Sequence, residues 1–129
     1  MPDETGMTPN MGPQQRGEVG RITTHVLDTA MGMPAAGLAL ELRRHENDGW
    51  RTLGRFSTGA DGRCGTPLLE GEAMRAGLYE IVFQVADWRG GTPGFYEAIP
   101  IRFTVTDTLS HHHVPLILSP FGYSTYRGS

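Results

Sequence analysis

The chain holds a single cysteine, Cys64, in 129 residues. No internal disulfide is possible, and a fold stapled by disulfides is excluded. No family signature surrounds Cys64, so it reads as a buried or neutral thiol before it reads as a nucleophile. Long apolar runs are missing too. None approaches the roughly 20 residues that a bilayer-spanning helix needs, so no membrane partner is expected. Basic charge is not in surplus: 11 Lys and Arg stand against 14 Asp and Glu, for a net charge of −3. A surface for nucleic acid or anionic lipid is therefore not expected. The opening MPDETGMTPNMGPQQRGEVG lacks the basic head and apolar core of a secretory signal. A cytoplasmic location is expected by default.

What is present suits one domain. With 38% hydrophobic and 19% charged residues, the composition is that of an ordinary globule. The 18 glycines and 9 prolines point to many turns and few long helices. Residues 1–19 are rich in Gly, Pro, Gln and Asp, have little to bury, and read as a disordered tail before a domain over 20–129. The first strand pattern begins at Arg21 and runs to Leu27. Leu38 to Arg44 alternates apolar and polar residues, as a half-buried strand does. Asn47-Asp48-Gly49 predicts a hairpin turn, because these residues accept positive φ at little cost. Trp50 to Ser57 returns, and Asp61-Gly62 marks a turn. Glu70 to Arg75 is the only segment that reads as a helix, ended by Gly77. Leu78 to Val85, Ile99 to Val105, His113 to Leu118 and about Gly122 to Tyr126 read as further strands. Seven to eight short strands with one short helix predict an all-β sandwich.

Three places carry groups suited to chemistry. In His111-His112-His113, side chains alternate faces, so His111 and His113 share one face and His112 points to the other. Two histidines at that spacing can begin a zinc site, but a third protein ligand is needed and no nearby Asp, Glu or Cys has ligand spacing. A solvated strand start fits the run equally well. Pro115, which lacks an N–H, predicts that this strand lies at an edge or turns that position away from pairing, and an apolar edge strand is relieved by burial against another subunit. The second place is His25, inside the first strand, where a histidine is ordinarily a satisfied structural residue. The third is the ending, Tyr123-Ser124-Thr125-Tyr126-Arg127-Gly128-Ser129. Its aromatic ring and planar guanidinium suit a flat, hydrogen-bonding heterocycle.

The segments HHHVPLIL and SPFGYSTYRGS closely resemble the terminal signature of the 5-hydroxyisourate hydrolases, the enzymatic relatives of transthyretin. ITTHVLDTAMGMPAAGLALEL is similar to that family's opening strand and loop, and TGADGRCG to its Asp-Gly-Arg turn. The resemblance runs from about Gly20 to Ser129. It implies a transthyretin-like (prealbumin-like) β-sandwich that opens the six-membered ring of 5-hydroxyisourate. The implied product, in urate breakdown, is 2-oxo-4-hydroxy-4-carboxy-5-ureidoimidazoline. No metal or organic cofactor is implied. Carried over by motif, the catalytic residues are His25, Arg63, His113 and Ser129, with His25, Arg63, Tyr126 and Arg127 binding substrate. The resemblance also implies a homotetramer with sites where dimers meet. Two stretches depart from the family. His112 stands where the middle of the histidine motif is usually Tyr, and Gly94 to Pro100 only loosely follows the usual Phe-Phe-Pro-Glu-Ile-Pro.

Ring opening of this kind needs an activated water, a stabilised oxyanion and a held substrate. Histidine is the natural proton carrier near neutral pH. His25 and His113 are expected to flank the water, Arg63 to stabilise developing negative charge, and Tyr126 with Arg127 to hold the ring. Ser129 offers its hydroxyl or the terminal carboxylate. The main alternative is a transthyretin-like carrier that holds a small molecule in an open channel.

Overall fold

The computed structural model describes residues 19–129. The expected tail over 1–19 lies outside the described residues, apart from Val19. Among these residues, nine strands form two sheets. They are β1 (Arg21–Asp28), β2 (Met33–Pro34), β3 (Ala39–Glu46), β4 (Gly49–Ser57), β5 (Leu69–Glu70), β6 (Gly77–Phe83), β7 (Ile99–Val105), β8 (His111–Ser119) and β9 (Gly122–Thr125). The first sheet runs β2-β1-β8-β9, with β5 also paired to β1, and the second runs β4-β3-β6-β7. The two-residue β2 and β5 carry the count beyond the expected seven to eight, because strands that short leave no periodicity to read.

Alternation decides which sheet faces meet. In β1, Ile22, Thr24 and Val26 are buried while Arg21, Thr23 and His25 are only half covered. In β8, His112, Val114, Leu116 and Leu118 point to the same interior. Across it lie Leu40, Leu42, Tyr79, Ile81, Phe83, Ile99, Ile101 and Val105 from the second sheet. Burying side chains of this size contributes about 1.5–3 kcal/mol each. On the outer face of β6, Glu80 is also buried, at 3% exposure, where Arg102 and Arg43 hold its carboxylate at 3.0 and 3.3 Å. A lone carboxylate could not sit there cheaply.

The hairpin turn falls where expected, and Asn47 is the residue that takes positive φ, +55°. The helix does not. Glu70 is already paired with Arg21 in β5, and only a single 3₁₀ turn, Gly71–Ala73, follows. Met74 is extended and buried, and the Tyr79 hydroxyl donates to the Arg75 carbonyl at 2.8 Å, tying that backbone to β6. The one α-helix among the described residues, α1 (Val85–Arg89), takes Val85, read as the end of a strand, and four residues assigned to no element. Its signals are Asp87 in the first turn, Arg89 in the last and Gly90 at φ +62° beyond, too brief for a helical period to register.

Pro115 corrects the edge-strand expectation. β8 lies inside its sheet, between β1 and β9. The other half of that expectation holds: β9 pairing stops at Leu116–Thr125, and the Pro115 carbonyl takes the Thr125 hydroxyl at 2.7 Å. No ladder bond is therefore asked of the proline nitrogen on that side. Pro100, in contrast, sits on the true edge strand β7.

His112, 6% exposed, points into the sandwich as alternation requires. Burial lowers its imidazole below the ordinary value of 6.5, and the charge of Arg127 adds to this. The folded chain therefore resists a proton that the unfolded chain accepts, and stability present above pH 6.5 is lost as pH falls toward the lowered value. In urea melts across that window, His112→Phe is expected to weaken the acid-side loss of stability. An unchanged pH slope would show that His112 carries no part of it.

Candidate active site

The outer face of the first sheet gathers the chemistry. β1 and β8 pair in parallel with Arg21 opposite His111, Thr23 opposite His113 and His25 opposite Pro115. Two-residue alternation then places Thr23, His25, His111 and His113 on one face. The turn after β4 adds Arg63, which forms a single bridge with His25. The C-terminal segment adds Gly128, which forms another with His113.

The Arg63 turn is built from backbone. Asp61 accepts the Arg63 N–H at 3.0 Å, Arg63 accepts the Gly59 N–H at 2.8 Å, and Gly62 accepts the Val26 N–H at 2.9 Å. Gly62 takes φ +79°, and a Cβ there would stand 2.5 Å from the Val26 carbonyl oxygen and 3.1 Å from the His25 ring. Only glycine lets the turn lie this close. The Asp61 carbonyl lies 2.9 Å from His25 Nε2. A carbonyl only accepts, so His25 carries its proton on Nε2, and its neutral form keeps the lone pair on Nδ1.

His113 is held from two sides. Thr23 Oγ1 lies 2.8 Å from its Nδ1. Gly128 donates its N–H to the His113 carbonyl at 2.8 Å and packs on the ring so closely that a Cβ would stand 2.4 Å from Cδ2. The His113 imidazole is held below the ordinary 6.5, first by burial, then by the charges of Arg63 and His25. It is a neutral base at neutral pH. Burial, with a smaller part from Asp61, pushes the Cys64 thiol up, so it is a poor thiolate.

The ending approaches the same face. Tyr126 and Arg127, with His113, border a recess of about 220 Å³ that reaches to β7. A second recess of about 220 Å³ has Thr23, Arg63 and His111 in its wall. Arg127 donates to the His111 carbonyl at 3.3 Å. Tyr126 is 57% exposed, and Ser129 follows Gly128 at the exposed end. His25, Arg63 and His113 thus come together within one chain, whereas Tyr126 and Ser129 lie at the margin. Among the described residues, no three His, Cys, Asp or Glu side chains stand together as a metal ion would need. Thr23 and Gly128 were missed as site residues. Period two puts Thr23 on the His25 face, but its contact with His113 depends on a pairing across 90 residues.

Fold and site define a two-sheet β-sandwich with a histidine–arginine cleft on one outer face. The chain belongs to the HIUase/Transthyretin family, whose profile matches residues 22–128. It is 49% identical over 116 residues to "5-hydroxyisourate hydrolase 2" of Rhizobium meliloti strain 1021, covering 85% of this chain and 97% of that protein. The Klebsiella pneumoniae 5-hydroxyisourate hydrolase structure matches with a TM-score of 0.74 and 31% identity, over 85% of this chain and 99% of that one. The (S)-allantoin synthase structure matches with a TM-score of 0.78 and 38% identity over 87% of this chain, which spans only 44% of that longer one.

Gly128 is half-buried against the His113 ring, so Gly128→Ala is expected to cost about 1 kcal/mol of stability, the low end for overpacking, because only one residue follows it in the described segment. Its added methyl must displace either the His113 ring or the terminal segment. The His113 ring signals in an NMR spectrum should therefore move, and unmoved signals would uncouple the tail from the histidine.

Proposed function

We propose that the chain hydrolyses 5-hydroxyisourate to 2-oxo-4-hydroxy-4-carboxy-5-ureidoimidazoline in urate breakdown. The observation that carries this reading is the convergence of His25, Arg63 and His113 on one sheet face, with the Tyr-Arg-Gly-Ser ending at its margin. The named hydrolases among its relatives support it.

In this reading His113 is the general base. Its lowered imidazole offers a lone pair at neutral pH and takes a proton from the water that attacks the ring carbonyl. Arg63 stabilises the oxyanion, a role worth about 2.7–4 kcal/mol for comparable donors. His25, fixed by the Asp61 carbonyl, orients the water or the substrate. Tyr126 and Arg127 hold the planar ring, and Ser129 adds its hydroxyl. No metal or organic cofactor is invoked.

A single chain leaves this face open, with Leu27 38% and Tyr126 57% exposed. We place the working site between copies, in a homotetramer whose dimers meet across it. A cytoplasmic setting suits a chain with one free thiol. A carrier would bind without turning over, and the polar histidine–arginine lining disfavours a hydrophobic cargo.

Urate oxidase generates 5-hydroxyisourate from urate, and its ultraviolet signal reports the decay. Added protein is expected to accelerate that decay; an unaltered rate would leave the carrier. His113→Asn and His25→Asn should each lower turnover by about 10²–10⁴-fold. The acid limb of kcat/KM should fall below pH 6.5, because the base must be neutral. Arg63→Gln removes a cation that opposes protonation of His113, so the limb should move to higher pH. A limb that stayed in place would remove Arg63 from the electrostatics of the base.

A further inference from the structure

One hydroxyl lies between two imidazoles. Thr23 Oγ1 is 2.6 Å from His111 Nε2 and 2.8 Å from His113 Nδ1. The rings stand 5.9 Å apart, too far to bond to each other directly. The parallel register makes the bridge: Thr23 lies opposite His113, and His111 precedes it by two residues on the same face. The charged and titratable groups around the pair are Arg21 and His25 on β1, Arg63 from its turn, and Arg127 against the His111 backbone.

A hydroxyl has one proton. Between two ring nitrogens it donates to one and accepts an N–H from the other. The tautomers of the two histidines are therefore coupled. If Thr23 accepts from His113 Nδ1–H and donates to His111 Nε2, His113 keeps a lone pair on Nε2. In the reverse order Nε2 is protonated and His113 cannot act as a base.

We propose that Thr23 is a positioning residue that holds His113 in its Nδ1–H form and links it to His111 as a proton relay. The proposal rests on reading His113 as the base. As water oxygen bonds to the ring carbonyl carbon, one water proton moves to His113 Nε2. The His113 Nδ1 proton passes to Thr23 Oγ1, and the proton already on Thr23 passes to His111 Nε2. The positive charge then rests on His111, one ring farther from the reacting carbon. When the carbon–nitrogen bond breaks, His113 Nε2 gives its proton to the departing nitrogen. His111 returns a proton to Thr23, which returns one to His113 Nδ1. The resting tautomers are restored, and the other water hydrogen leaves with the carboxylic acid product.

Thr23→Val keeps the β-branched shape and removes only the hydroxyl, whereas Thr23→Ser keeps the hydroxyl. Nitrogen-15 NMR of the resting protein reads the histidine tautomers without any turnover. The Nδ1–H form of His113 is expected in the parent and in Thr23→Ser, and its loss in Thr23→Val. In the decay assay Thr23→Val and His111→Gln should each lower kcat about 10- to 100-fold with KM little changed, and Thr23→Ser should recover most of that loss. An unchanged His113 tautomer in Thr23→Val would overturn the relay alone. Full turnover in His113→Asn would overturn the base reading and the relay with it.

Discussion

The parallel pairing of β1 with β8 is the constraint on which the site depends. It sets Thr23 beside His113 and puts His25 two residues farther along the same face. The interior enforces this register, because Ile22, Val26, Leu116 and Leu118 are all buried on the other side. A slip of one residue would turn either strand over, sending His113 into the apolar core and Val114 into the cleft. The face that carries the histidines is thus held in place by the hydrophobic effect acting on the opposite face of the same two strands.

Two glycines bring separate pieces of chain within contact of the histidines. Gly62 lets the Arg63 turn lie against His25, and Gly128 lets the C-terminal segment lie on the His113 ring. Both approaches cover imidazole surface. They put carbonyl and amide groups where water would otherwise stand. The partial burial lowers His113, and the cation of Arg63 acts in the same direction. An imidazole held toward its neutral form and a guanidinium then stand on one face, the two groups that the proposed hydrolysis calls for. The family that shares this sandwich contains both hydrolase and transthyretin. A shared fold does not fix function, which resides in the side chains of the site.

Much of the sandwich was legible in residue patterns. β3 and β7 alternate cleanly, β6 carries an apolar run suited to the middle of a sheet, and Asn47-Asp48-Gly49 announces its hairpin. The failures share a cause. α1, β2 and β5 are too short for any period to develop, and their backbones are set by partners distant in sequence. The run from Glu70 to Arg75 has helical composition, yet Met74 is drawn into the core and Arg75 is bound by the Tyr79 hydroxyl. Pro115 suggested an edge, but a proline also fits inside a sheet where the neighbouring strand has just diverged.

The sequence by itself determined the all-β class, the main strands and the faces to which His111, His112 and His113 point, because strand alternation is a local property of the chain. Motif resemblance supplied His25, Arg63, His113 and the terminal residues as site candidates. Only the tertiary structure decided that β8 lies inside its sheet, that Thr23 bridges two imidazoles, and that Gly128 closes on His113. Those facts depend on strand order and register. Both emerge when distant segments bury their apolar faces together, so neither can be read from any one stretch of residues.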